Sequence, residues 1–301
     1  MADSSEGPAK HTLTRREAWK LGGAAVGAVA VAGFGASRAA ARSTVVPPPP
    51  GSWNHDPASP IGPLHWGTIP GIPGDVCGTG AGQSPVNIDT SAVKRLNGPP
   101  LMLSYVSSEL TVENTGHVVE VVIPAGVTDT LSIGNDTYPL VQYHFHAPSE
   151  HQVNGRPADL EAHFVHQDSQ GDTAVVGVFF RRGADPNRLL DKILFSAPVT
   201  AGEEVTVGEA SPAELFPGCG GSKSTLDVGS FYTYNGSLTT PGCTQGVRWF
   251  VLADGGHVSP AAVRRFHHVI SPFPNYYGYP NNNRPVQPLN GRVISFRSGR
   301  S

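Results

Sequence analysis

Leu140-Val141-Gln142-Tyr143-His144-Phe145-His146 is the stretch on which the reading of this chain turns. Its aromatic and β-branched residues predict a strand. Successive side chains on a strand alternate between faces, so Gln142, His144 and His146 project to one side. A second strand-like run, Glu161-Ala162-His163-Phe164-Val165, follows a predicted turn at Asn154-Gly155-Arg156-Pro157. Pairing of these two strands as neighbours would bring three imidazoles to one point. Three nitrogen ligands leave a fourth tetrahedral position for water, which is the catalytic rather than the structural form of a zinc site. The chain holds 12 histidines, so His-x-His spacing alone would equally suit an exposed strand pair. Gln142 on the face of His144 and His146, and Glu161 on the face of His163, sharpen the reading. Metal-bound imidazoles give their other ring proton to a side chain or carbonyl, which fixes tautomer and ring orientation.

Outward from this pair, Gly 36 and Pro 28, with many short Val, Ile, Phe and Tyr runs split by turn residues, predict a mainly β architecture. Helical patterning is sparse and best at 186–195 and 259–270. No internal repeat and no domain boundary interrupts the pattern. The net charge of −3 and scattered Lys and Arg leave no footprint for nucleic acid or an anionic membrane surface.

The N-terminal end reads differently. Thr14-Arg15-Arg16-Glu17-Ala18-Trp19-Lys20 carries a twin-arginine pair, and an Ala/Gly/Val run continues from Leu21 to about Ala36. That run is too short for a comfortable membrane span, which takes roughly 20 apolar residues. Ala39-Ala40-Ala41 offers a small-x-small cleavage site. Residues 1–41 are therefore read as a twin-arginine signal peptide, 42–52 as a Pro-rich extended spacer and 53–301 as one folded domain. An uncleaved anchor is the other reading of the leader. Cleavage would leave no stable membrane span and a periplasmic or extracellular product, in which a disulfide is permitted. The three cysteines, Cys77, Cys219 and Cys243, leave one odd.

Gln142-Tyr-His-Phe-His-Ala-Pro-Ser-Glu-His151, Glu161-Ala-His-Phe-Val-His166 and Gly236-Ser-Leu-Thr-Thr-Pro-Gly-Cys243 together resemble an α-class carbonic anhydrase. Asn114-Thr-Gly-His117, Gln83-Ser-Pro-Val-Asn-Ile88 and Asn283-Arg-Pro-Val-Gln-Pro-Leu-Asn-Gly-Arg292 extend the resemblance from about Trp53 to Arg297. It implies a mainly β single domain with a large, mostly antiparallel twisted central sheet, short peripheral helices and a conical cleft. It also implies reversible hydration of carbon dioxide to bicarbonate and a proton, by attack of a zinc-bound hydroxide.

By the same resemblance His144, His146 and His163 hold Zn2+, and Gln142 and Glu161 support them. Thr239 accepts the hydroxide's proton while donating its own to Glu150, and Thr240 contacts bicarbonate. Val165, Val175, Leu238, Val247 and Trp249 line an apolar wall for carbon dioxide, residues that would otherwise read as ordinary core. His117 is the implied proton shuttle, a role that suits imidazole because its pKa lies near neutrality. Cys77 and Cys243 stand where secreted relatives carry their bridge, worth roughly 4–5 kcal/mol through loop closure. Cys219 has no place in the pattern and reads as a free thiol, with pairing in trans the sharper alternative. His151 and His166 read as structural.

The chain departs from the family pattern at His55, where a cavity tyrosine is usual, at Glu120, where a neutral amide is common, and at Gln245. Two other readings stay open at this point. His144-Phe-His146-Ala-Pro-Ser-Glu150 satisfies the His-x-His-x-x-x-Glu core of a cupin-type metalloenzyme, which would put Glu150 on the metal. A catalytically weak carbonic anhydrase-like binding module is the other. Oligomeric state is not legible.

Overall fold

Short runs rich in β-branched and aromatic residues make strand the dominant regular structure of this chain. In the computed structural model, residues 51–71, 76–219 and 225–299 are described. The leader at 1–41 and the spacer up to residue 50 lie outside them. Ten strands form the spine of the central sheet: β1 (Lys94–Arg95), β2 (Ser108–Asn114), β3 (Val119–Val122), β4 (Asp136–His146), β5 (Leu160–Gln167), β6 (Thr173–Arg182), β7 (Glu204–Ala210), β8 (Phe231–Ser237), β9 (Gln245–Leu252) and β10 (Ser295–Arg297). Their spatial order is β7-β2-β3-β4-β5-β6-β9-β8-β10-β1, with four shorter strands branching off. Along this path the junctions are antiparallel except β6 with β9 and β10 with β1, which run parallel. The mostly antiparallel, mainly β domain implied by the resemblance is the fold observed.

Strand alternation divides the sheet into two faces. Tyr143 and Phe145 of β4, Ala162 and Phe164 of β5, Val176 and Val178 of β6 and Phe250 of β9 belong to one large hydrophobic core. Helices α1 (Arg188–Ser196) and α2 (Pro260–Ile270) contribute Leu190, Ile193, Leu194, Val263 and Phe266 to that same core. Each fully buried side chain of this size contributes about 1.5–3 kcal/mol. The helices sit where the sequence pattern puts them, with starts fixed by capping: Asn187 accepts from the Leu190 amide and Ser259 from the Ala262 amide.

The opposite face carries Gln142, His144, His146, Glu161 and His163, with Val165, Val175, Val247 and Trp249. These four apolar residues are buried but stand outside the large core cluster. The predicted turn at Asn154-Gly155 is a two-residue hairpin loop with φ of 51° and 75°, the left-handed pair that this type of tight turn needs. Cys77 and Cys243 form a disulfide across 166 residues of chain, and closing so long a loop is worth about 5 kcal/mol in the chain-entropy picture. Cys219 is outside any disulfide. Among the described residues no helix is long and apolar enough to cross a membrane.

Candidate metal centre

Register brings the three histidines together. In the antiparallel pairing of β4 with β5, His163 lies directly opposite His144, and Glu161 opposite His146. One ring nitrogen from each of His144, His146 and His163 falls within 4.8 Å of the other two. Glu150 is not among these converging donors, which removes the main support for a cupin-type site with that carboxylate on the metal.

The outer nitrogens are held. His144 Nδ1 is 2.9 Å from Gln142 Oε1, and His146 Nδ1 is 2.7 Å from the Asn282 carbonyl. Both acceptors can only receive a proton, so each fixes the Nδ1–H tautomer and turns a bare Nε2 inward. His146 Nε2 is buried with no partner, a cost that a buried polar atom ordinarily avoids. A bound cation would satisfy it. His163 Nε2 lies 3.0 Å from Glu161 Oε1, close enough for an ion pair but off the line of a directional hydrogen bond. Glu161 is otherwise saturated: Oε1 accepts from His151 Nδ1 at 2.7 Å, and Oε2 accepts the amides of Glu150 and His151, each at 2.9 Å. His151, Glu161 and His163 also cluster closely enough to hold a cation, but the hydrogen bonds that consume Glu161 make it a support for His163.

Burial sets the protonation states. It holds the His144 imidazole well below its ordinary value, reinforced by His146 and His163. His144 remains half-buried, so water relieves part of that effect. Burial also lowers His146, against the opposing pull of Glu150. Both are neutral and ready to donate. Burial opposes charge on His163 too, yet the Glu161 carboxylate, with Glu150, carries it above its ordinary value. A cation arriving there must therefore displace a proton. Glu161 itself is held well below the carboxylate range because His151 and His163 outweigh its own burial.

Around the triad, Val165 pairs with Val175, and Val175 with Trp249, so three strands stack their predicted wall residues in one row. Val247 lies one step further along the same face of β9. Leu238, Thr239 and Thr240 form the turn after β8, tied by the Leu238 amide to the Thr244 carbonyl and by the Cys243 amide to the Thr240 carbonyl, both at 2.9 Å. The expected Thr239–Glu150 hydrogen bond is not formed. Glu150 Oε1 accepts the Arg284 amide at 2.7 Å, while Oε2 is buried without a hydrogen-bond partner.

His117 occupies the turn between β2 and β3, where its ring stacks on Trp53 at 3.7 Å with planes 6° apart. Burial in that stack pushes its imidazole down to about 3, although the residue keeps part of its surface exposed. Exposure favours the charged form, so the full depression belongs to the stacked position alone. His55 is fully buried against Trp53, Trp66 and Tyr276. Its Nδ1 bonds the Tyr276 hydroxyl, and its Nε2 has no partner. Glu120 stands opposite His144 in the β3–β4 register. His151 bridges Glu161 and Tyr234. His166 bonds Tyr105 at 2.6 Å inside the core. Sequence reasoning missed Asn282, whose carbonyl holds His146 and whose amide side chain bonds the Phe145 carbonyl and the Ala147 amide. A backbone acceptor leaves no signature in sequence.

The profile of the eukaryotic-type carbonic anhydrase family matches residues 61–298. The chain belongs to this carbonic anhydrase family. It is 38% identical to a carbonic anhydrase of Neisseria gonorrhoeae over 219 residues, 73% of this chain and 79% of that protein. Among solved structures, the α-carbonic anhydrase from Thermovibrio ammonificans with the inhibitor sulfanilamide aligns with a TM-score of 0.70 at 35% identity, covering 81% of this chain and 98% of that one. The fold is also that of dioscorin complexed with ascorbate, at 29% identity and a TM-score of 0.71, with 83% and 99% coverage. Fold likeness alone does not fix chemistry. Membership of the carbonic anhydrase family makes this chain an enzyme of carbon dioxide hydration in general terms, and the histidine cluster could bind a metal.

Proposed function

We propose that this protein reversibly hydrates carbon dioxide to bicarbonate and a proton, with Zn2+ held by His144, His146 and His163. The observation that carries the reading is the convergence of three imidazole nitrogens whose opposite edges face Gln142, the Asn282 carbonyl and Glu161. His144, His146 and His163 would hold the metal as neutral imidazoles, and zinc so held would bring the pKa of a water ligand to about 7, the value known for carbonic anhydrases themselves, making a nucleophile available at neutral pH.

The chain's own residues do the rest. Gln142 and Asn282 keep His144 and His146 in the donor tautomer, and Glu161 steadies His163. Val165, Val175, Leu238, Val247 and Trp249 offer an uncharged, poorly hydrated gas an apolar wall. Glu150 Oε1 is fixed by the Arg284 amide, which leaves Oε2 open to accept the Thr239 hydroxyl once that side chain turns toward it. That pairing orients the hydroxyl's oxygen toward the nucleophile. Thr240 stands beside it for bicarbonate. His117 carries the released proton to bulk buffer, and it does so out of the Trp53 stack, where its pKa returns toward neutrality. Carbon dioxide and bicarbonate are the partners; nucleic acid is not.

The twin-arginine leader at 1–41, the spacer at 42–52 and the catalytic domain at 53–301 complete the reading, with export to the periplasm or beyond. The Cys77–Cys243 disulfide suits such an oxidising compartment. The assignment of the metal ligands is tested by His144→Ala and His163→Ala. Each should lose zinc and hydration together, and full activity in either would show that the ligands are misassigned.

A further inference from the structure

Arg284 is a fully buried arginine, 1% exposed, far from the protein surface where such side chains ordinarily lie. Its guanidinium donates through Nη1 to Gln83 Oε1 at 2.9 Å and to the Ser84 carbonyl at 2.7 Å, and through Nη2 to the Cys77 carbonyl at 3.2 Å. Gln83 Nε2 in turn donates to the Cys243 carbonyl at 3.1 Å. The guanidinium therefore grips both halves of the disulfide, one directly and the other through a single amide. The Trp66 ring lies 5.5 Å from its central carbon.

The same residue reaches the opposite way through its backbone. Its amide donates to Glu150 Oε1 at 2.7 Å, and Glu150 stands 3.6 Å from His146 Nδ1 through that oxygen and 3.8 Å from His163 Nδ1 through the other. Cys243, at the far end of the guanidinium's contacts, donates its amide to Thr240. One residue thus joins the carboxylate beside the histidines to the turn that carries Thr239 and Thr240.

We propose that Arg284 is a positioning residue for the hydration reaction, holding Glu150 and the 238–244 turn in one geometry through Gln83 and the disulfide. This rests on the role assigned to Glu150 and Thr239 above. A carboxylate with one oxygen fixed by a peptide N–H offers only its other oxygen to a hydroxyl, and its direction follows the backbone that fixes it. That backbone is held in place by a planar fork with three acceptors. A lysine ammonium is a point donor on a flexible stem and cannot reproduce the fork. A purely structural clamp would make the same contacts, but its loss would lower stability without changing turnover in the folded protein.

The experiment uses Arg284→Lys, Gln83→Met and the double variant of the disulfide-bonded chain. Zinc-loaded proteins give kcat and KM for carbon dioxide, and metal-free proteins give amide exchange at position 284. Each single variant should lower kcat by about tenfold, as for other residues that orient active groups indirectly, with KM nearly unchanged. The double should be no slower than the slower single, and the amide at 284 should exchange about tenfold faster in each folded variant while the β2 amides are unchanged. Unchanged kcat in the folded singles, or losses that multiply in the double, would overturn the proposal. If Arg284→Lys does not fold, Gln83→Met decides alone, because it leaves the contacts to Ser84 and Cys77. A parent chain that hydrates no carbon dioxide would defeat the proposed function instead, and the exchange measurement would still show whether the coupling exists.

Discussion

Gly177→Ala tests the metal centre without touching a ligand. Gly177 lies in β6 directly opposite His163. A methyl group built there would stand 2.8 Å from Glu161 Oε1, while its next contact, Val251 Cγ2 at 3.7 Å, is ordinary. The conflict is thus aimed at one oxygen. Glu161 cannot step aside freely, since its two oxygens accept from His151 Nδ1 and from the amides of Glu150 and His151. A shifted carboxylate loosens its approach to His163 Nε2, now 3.0 Å. Loss of such a supporting partner costs about 10–100-fold in metal affinity, or about 1.4–2.7 kcal/mol. Chelator competition on the folded variant reads the zinc affinity, and urea unfolding of the metal-free form separates any general loss of stability. Zinc held as tightly as in the parent would refute the argument that Glu161 steadies His163.

Three further outcomes follow from the same structure. His166 is buried and pushed down to about 3 by that burial, against about 6.5 when unfolded. The unfolded chain therefore takes up the proton first, and stability falls as pH drops below 6.5, by about 2.7 kcal/mol over two pH units. His166→Gln, which keeps a partner for Tyr105 but cannot titrate, should flatten the urea-unfolding pH dependence by that amount; an unchanged slope contradicts it. His117→Ala should slow turnover in dilute buffer and be partly rescued by imidazole, whereas equal turnover at every buffer concentration would end the shuttle assignment. His55→Phe should cost about 1–3 kcal/mol in urea unfolding, because it leaves the buried Tyr276 hydroxyl without its partner. A variant as stable as the parent would show that this pair carries no stability.

The strand pair at the centre was legible because period-two alternation assigns faces regardless of register. That is why Gln142, His144 and His146 share a side; that Val165, Val175, Val247 and Trp249 stand outside the large core cluster was suggested by resemblance alone. Which residues stand opposite one another was not legible. The pairing of His163 with His144, the shift after Val165 and the parallel seam between β6 and β9 come from long-range packing that no local pattern encodes. Backbone partners were equally silent: Asn282, just ahead of the run at 283–292, supplies a carbonyl, and Arg284, inside a run that sequence marked only by resemblance, supplies an amide. The Cys77–Cys243 pairing also came from resemblance. The Thr239–Glu150 contact, inferred in the same way, is absent from the structure. Trp53 was noted as a landmark, but nothing in its neighbours announced that His117 would lie flat against it.

Whether three imidazoles hold zinc for carbon dioxide hydration is tested on one preparation of the mature protein. Zinc content and stopped-flow hydration with a pH indicator are measured on the protein as isolated, after removal of metal by a chelator, and after zinc is restored. The expected result is about one zinc per chain from the three-nitrogen site, fast hydration, loss of both together and recovery of both together. One tightly bound zinc with hydration no faster than in buffer would contradict it.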